Sequence, residues 1–415
     1  MAIDIRKIQY LSFEGGGGKG AAYLGVLEAF KDKRIQFIVP SKENPDFHVL
    51  NTKKIKGIAG ASAGAITAAL LATGVPVEKI YELLTNSEKI AEFKDLQNEL
   101  VTTSKGQDKF CIHPTILYQN KRGNTEGIKL DTFRTKRGYD KYHIGSTTVD
   151  VAQWLHILPK FNPEEKISML ENFSTTFGLY AGIKIRETLI DIIAQHGYKI
   201  MSKNGRGQVT FKELFQKTGV ELAIMGTKLE KPGEVLYFSV RTTPNMRVVD
   251  AVRISASIPP IFAPVKVYPE AIYTDKSDKF VPYPANSITI SYPYLTSVEK
   301  EYLIGTWIDG GATNNNPIHA FDKEIDRATL DKVQKKPYLA HPRLSKGNDK
   351  MLAFTLEDGT VAANLTVGDY ISNVLGALTA NTTSLQYNDP KEKKQVIDVP
   401  IDLPENYKSF GINRK

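Results

Sequence analysis

Ser62 stands in Gly60-Ala61-Ser62-Ala63-Gly64, the pattern G-x-S-x-G. An apolar approach through Ile55 and Ile58 precedes it, and the helix-forming run Ala65-Ile66-Thr67-Ala68-Ala69-Leu70-Leu71 follows. A serine on a sharp strand-to-helix turn has its hydroxyl lifted out of the sheet, where it can act as a nucleophile. Gly60 and Gly64 let the backbone turn and let a helix pack close to a strand. The helix N-terminus behind the serine favours negative charge developing beside it. Taken alone, the motif fits a plain structural elbow equally well.

A second glycine cluster, Gly15-Gly16-Gly17-Gly18-Lys19-Gly20, lies between the β-rich run Ile5 to Phe13 and the helically spaced Ala21 to Phe30. Consecutive glycines can aim several N–H groups at one anionic spot. A phosphate-binding loop would need G-x-x-x-x-G-K-[ST]; here Lys19 stands wrongly to Gly15 and Gly20, and Ala21 replaces the hydroxyl residue. The other reading is an oxyanion hole of backbone N–H groups serving the serine.

Asp309 is the third feature. It ends the β-type run Leu303 to Ile308 and is followed by Gly310-Gly311 and then Asn314-Asn315-Asn316-Pro317. A carboxylate at a strand end can be a functional acid, but Asp-Gly is also an ordinary turn signal, and the segment by itself favours the turn. The usual base for a serine is histidine. His319 and His341 follow Asp309, yet neither completes a convincing Ser…Asp…His order. A direct Ser–Asp dyad is chemically sufficient, because a carboxylate at hydrogen-bond distance can accept the hydroxyl proton as it attacks an ester.

The elements that must position these residues are strand–loop–helix units. In a parallel sheet the strand C-terminal ends share one edge, which is where ligands bind. The glycine loop and the Ser62 turn both fall on that edge. Segment 34–53 reads as a polar loop and 102–150 as extended surface loop with short strands. Apolar residues of Val151 to Phe161 and Ile167 to Phe177 read as core, or alternatively as an acyl-chain groove. Helices are expected at 182–197 and 211–218, and strands at 220–227 and 234–241. A helix from Asp250 is stopped by Pro259-Pro260, which forces Ile261 to Val265 to extend. Segment 268–301 reads as irregular, Met351 to Leu356 as a strand, Thr366 to Ala380 as a helix and Gln395 to Ile401 as a last extended piece.

The 415 residues hold 41% apolar and 24% charged side chains, an ordinary globular mix. No apolar run reaches the roughly 18 residues of a membrane-spanning helix. The N-terminus lacks a signal-peptide layout and reads as mature sequence; export by a route that needs no such signal stays open. The single cysteine, Cys111, cannot form an intramolecular disulfide, and the seven histidines show no zinc spacing. A net charge of +8 is moderate for this length; it fits weak attraction to anionic membrane surfaces or nucleic acid, and a solvated surface is the commoner explanation.

The three glycine-marked turns together resemble the patatin-like phospholipases, which carry G-G-G-x-[KR]-G, then G-x-S-x-G, then D-G-[GA]. Ser255-Ala256-Ser257 ahead of Pro259-Pro260 also looks like that family's stretch before its aspartate. The resemblance covers about residues 8–320, implying a catalytic domain there and a C-terminal extension, 321–415, that packs on or completes it. It implies a three-layer α/β/α sandwich with a mainly parallel central sheet. It implies Ser62 as nucleophile and Asp309 as general base, with Gly16, Gly17 and Gly18 as the oxyanion hole and Lys19 adding positive potential. Gly60 and Gly64 would form the nucleophile elbow, and Gly310 and Gly311 the aspartate motif. The implied activity is phospholipase A-type hydrolysis of fatty-acyl esters through an acyl-serine, with no metal and no cofactor. The implied partners are membrane phospholipid and, in some relatives, a protein activator; nucleic acid is not expected. A cytoplasmic or peripheral-membrane location follows. The alternative is a catalytically silent lipid- or protein-binding module of the same fold. Chains of the family often end in a further helix after a last strand; here the chain stops soon after Ser409-Phe410-Gly411.

Overall fold

The computed structural model describes residues 4–93, 178, 180, 182–202, 204–267, 288–290, 295–325, 341–344, 347–357 and 390–401, with strand segments at 115–119, 125–129, 141–144 and 147–150. The strands are β1 Tyr10–Phe13, β2 Ile38–Pro40, β3 His48–Leu50, β4 Gly57–Gly60, β5 Thr115–Gln119, β6 Thr125–Lys129, β7 Lys141–Ile144, β8 Thr147–Asp150, β9 Glu221–Lys228, β10 Leu236–Ser239, β11 Val265–Val267, β12 Ile288–Ile290, β13 Gly305–Asp309, β14 Met351–Glu357 and β15 Val396–Pro400. The helices are α1 Tyr23–Ala29, α2 Ala63–Ala72, α3 Val77–Thr85, α4 Ser87–Glu92, α5 Ile183–His196, α6 Phe211–Thr218, α7 Val248–Ser255, α8 Ser297–Leu303 and α9 Pro390–Lys393.

One sheet organises the chain, in the order β12-β11-β13-β9-β4-β1-β14-β15, with β10 also paired to β9. Strands β9, β4, β1, β14 and β15 run parallel, as the sequence implies. Successive residues of these strands are buried on opposite faces, as a doubly covered parallel sheet requires. Leu11, Ile58, Leu222, Ile224, Leu352 and Phe354 join the larger apolar core. Tyr10, Ala59, Ala223, Met225, Met351 and Ala353 face a second core with Ile318, Ala320 and Phe321. Helix α2 is Ala- and Leu-rich on every side and almost wholly buried. Its small side chains bring the helix close to β1 and β4, which fixes what stands at its N-terminus.

The end of the sheet carrying Asp309 departs from the parallel pattern. Strand β13 runs antiparallel to both β9 and β11. Register still delivers Asp309 to the right level. Gly60 pairs with Ile224 on one side of β9, and Asp309 pairs with Gly226 on the other. Ser62 lies two residues beyond Gly60 and Gly226 two beyond Ile224, so both functional candidates reach the same height on the sheet edge.

Several local expectations change. Only Tyr10–Phe13 of the Ile5 to Phe13 run is strand; Ile5–Lys7 is a 3-10 turn capped by the Asp4 side chain. Segment 34–53 contains the β2–β3 hairpin rather than loop alone. The supposedly irregular 268–301 includes β12 and the start of α8, which Thr296 and Glu299 close with reciprocal capping hydrogen bonds. Leu303 ends that helix instead of starting a strand. The short strands expected within 102–150 are present as the β5–β6 and β7–β8 hairpins. The apolar runs 151–161 and 167–177 and the 366–380 helix fall outside the described residues. No helix among the described residues is long and apolar enough to cross a membrane.

Candidate active site

Ser62 forms the junction of β4 and α2 with φ 50° and ψ −121°, a left-handed backbone that a side-chain-bearing residue adopts only under constraint. The sequence supplies that constraint through glycine. A Cβ at Gly60 would meet the Gly64 carbonyl oxygen at 2.3 Å, and one at Gly64 would meet the Phe13 oxygen at 2.2 Å. Both positions therefore require the missing side chain. Ser62 itself is buried, at 4% exposure.

Gly15 presses on Ser62 from the neighbouring loop, where an added Cβ would lie 2.9 Å from Ser62 Cβ. The loop then enters a 3-10 turn, Gly17–Ala22, with Gly17 at φ 56°. Lys19 lies within this turn, its N–H donating to the Gly16 carbonyl at 3.1 Å. The first N–H groups of such a turn point outward without intrahelical partners. Gly20 packs on Ala63, so the glycine turn abuts the start of α2.

Asp309 is the last residue of β13 and is buried. Its Oδ1 accepts from the Gly311 N–H at 2.7 Å. Gly310 packs against Met225 of β9 and Gly311 against Asn315, which accounts for both glycines after the acid. Burial pushes the Asp309 carboxyl up to about 7, opposed by hydrogen bonding from the Ser62 side chain and from the Gly311 N–H. Oδ2 is buried without a bond of full geometry. The Ser62 side chain thus lies near enough to lower the carboxyl's proton affinity without closing a fully formed hydrogen bond to Oδ2.

Neither histidine belongs to this group. His341 is buried between Ser239 Oγ and the Ala320 carbonyl, both 2.7 Å away, and burial drives its pKa down to about 3. His319 pairs with Asp322 at 3.0 Å. The ten-residue proximity of His319 to Asp309 in sequence does not bring it to Ser62.

Four supporting residues hold contacts that sequence reasoning did not assign. Asn315 Nδ2 donates to Glu14 Oε1 at 2.9 Å and to the Gly15 carbonyl at 3.1 Å. Glu14 Oε2 in turn accepts from the Leu356 N–H at 2.8 Å. These contacts lash the glycine loop to the Asp309 turn and to β14. Asn316 does the same one residue on, accepting from Ser12 Oγ at 2.6 Å and donating to the Phe354 carbonyl at 3.1 Å. The run Asn314-Asn315-Asn316, three amide side chains where one would serve the turn, was the available signal. Ser255, at the end of α7, accepts from the Ser62 N–H at 2.9 Å.

Comparison with known proteins agrees with this architecture. The sequence profile described as Patatin-like phospholipase matches residues 11–322, three quarters of the chain. The chain belongs to the patatin-like phospholipase family and has its fold, a three-layer α/β/α sandwich on a mainly parallel sheet. The "Probable lipid hydrolase 463L" of Invertebrate iridescent virus 6 is 42% identical over 67 residues, which cover 16% of this chain and 22% of the viral protein. VipD from Legionella pneumophila overlaps 91% of this chain and 55% of its own at 16% identity and a TM-score of 0.35. ExoU in its complex with SpcU from Pseudomonas aeruginosa overlaps 98% of this chain and 49% of its own, at 16% identity and a TM-score of 0.34. The chain thus spans about half the length of these structures and a smaller part of the viral relative.

Proposed function

We propose that the protein is a lipid acyl hydrolase of the phospholipase A type that works through a Ser62–Asp309 dyad. The observation that carries this reading is the left-handed Ser62, held beside a buried carboxyl whose proton affinity is raised to about 7. A base poised near neutral pH suits proton transfer from a hydroxyl. Ser62 Oγ attacks the ester carbonyl carbon while its proton passes to Asp309. The carbonyl oxygen becomes an oxyanion, received by the N–H groups of Gly16, Gly17 and Gly18, with Lys19 adding positive potential. Collapse breaks the ester C–O bond, and the leaving alcohol takes the proton from Asp309. Water then attacks the acyl-serine, giving a proton to Asp309, and fatty acid leaves as that proton returns to Ser62.

The test is fatty-acid release from phospholipid vesicles, with and without a eukaryotic extract to supply an activator. Ser62→Ala and Asp309→Asn should each lose at least about a thousandfold in rate, since members of such a unit fail together. Retained release by either variant rejects the dyad. Vesicle binding that survives Ser62→Ala, with no labelling of wild type by a serine-reactive phosphonate, would instead establish a silent binding module.

A further inference from the structure

Strain at the nucleophile must be held by something outside the turn itself. The glycines make the left-handed conformation sterically possible, but they do not favour it over a relaxed alternative. The Ser255–Ser257 segment, where α7 ends, touches the backbone of both dyad candidates. Ser255 Oγ accepts from the Ser62 N–H at 2.9 Å, across 193 residues of sequence. Two residues on, the Ser257 carbonyl accepts from the Asp309 N–H at 3.0 Å. Ser255 and Ser257 are both fully buried, so no water competes for these bonds.

The segment is itself anchored. Arg253 Nη1 donates to Ser257 Oγ at 2.6 Å, and the same hydroxyl donates to the Arg253 carbonyl at 3.0 Å. Arg253 Nη2 continues to the Ala263 carbonyl at 3.0 Å, beyond the double proline. At the other end of α7, Asp250 is gripped by Arg186 at 2.5 Å and by Arg247. The helix is thus fixed at both ends, and all eight of its residues are buried.

We infer that Ser255 is a positioning residue that, with the Ser257 carbonyl, sets the separation of Ser62 and Asp309 and holds Ser62 in its left-handed backbone. Nothing in this role touches substrate. It rests on the dyad reading for its effect on rate, though its effect on the Ser62 backbone does not.

Two readouts separate those dependencies. The first is exchange of the Ser62 amide hydrogen, which needs no activity. In Ser255→Ala it should exchange at least about tenfold faster than in wild type, with the amides of β1 and the centre of α2 unchanged. The second is kinetics on a soluble short-chain ester, with phosphonate labelling of Ser62. Ser255→Ala should lower kcat and the labelling rate by about ten- to a hundredfold at unchanged KM, the loss expected when a reacting group is misplaced by less than 1 Å. Ser255→Thr, which retains the accepting oxygen, should recover most of the rate. Unchanged Ser62 exchange in a folded Ser255→Ala, or wild-type labelling by it, overturns the inference. If Ser255→Ala does not fold, Ser255→Cys, a weaker acceptor of similar size, takes its place under the same criteria. Wild type that neither labels nor hydrolyses, with faster Ser62 exchange in the variant, rejects the hydrolase reading and leaves the positioning role standing.

Discussion

Burial raises the proton affinity of the Asp309 carboxyl, and the nearby Ser62 hydroxyl and the Gly311 N–H oppose it. This produces two opposite pH responses. On the dyad reading the base must be unprotonated, so log kcat/KM should rise with unit slope below about pH 7 and level above it. Stability runs the other way. An unfolded aspartate titrates near about 3.9, whereas the folded one holds its proton to about 7. Between those values the native state binds the extra proton, so stability falls as pH rises. Asp309→Asn cannot ionise and can still accept from the Gly311 N–H. Its melting temperature should exceed that of wild type at pH 8, and the gap should close toward pH 4. A gap that widened on acidification would contradict a buried, proton-retaining carboxyl. His341 responds in the opposite direction: its pKa near 3 means the unfolded chain binds the extra proton, and stability is lost as pH falls from about 6.5.

At the scale of elements, the β4–α2 elbow depends on two absent side chains. Gly64→Ala would drive a Cβ to 2.2 Å from the Phe13 oxygen and 2.6 Å from the Glu14 oxygen, both backbone atoms that cannot swing aside. Separating α2 from β1 should cost at least about 2 kcal/mol in urea unfolding, on the scale of overpacked cores. Gly25→Ala, in α1 where an added Cβ meets no packing neighbour within 4 Å, serves as the unhindered comparison and should be slightly more stable than wild type. The elbow was legible in the sequence because its signals are adjacent in the chain: a helix former follows a strand, with glycine two residues either side of the serine. The direction of β13 was not legible, because it is decided by pairing with β9 and β11, far away in the chain. The contacts of Asn315, Glu14 and Ser255 escaped for the same reason, each reaching a residue about 200 or more positions away. Helix α8 could have been found: Thr296 with Glu299 three residues on is a readable start signal, obscured by the prolines and tyrosines before it.

Across the whole molecule, buried charge links the sheet to the chain that follows it. Arg241 holds Glu221, the first residue of β9, through Nε to Oε1 and through Nη2 to Oε2 at 2.7 Å, while its Nη1 reaches the Lys323 carbonyl at 2.9 Å. Burial raises the Glu221 carboxyl, with Arg241 opposing it. Arg241→Met should therefore cost about 3–5 kcal/mol at pH 8, less at pH 5, where Glu221 can take up a proton instead. Adding Glu221→Leu should restore most of the loss at pH 8; a double variant no more stable than the single would show that shape, not charge, was at stake. The antiparallel entry of β13 carries one more consequence, for biosynthesis. Ser62 leaves the ribosome early, whereas Asp309 arrives only after β9 exists to receive it. Alternate residues of a strand face opposite sides, so a slip of one position would turn the carboxyl away from the serine. On the dyad reading, a nascent or mispaired chain carries its nucleophile without its base, and the cell making it is spared an acyl hydrolase until β13 has paired in register.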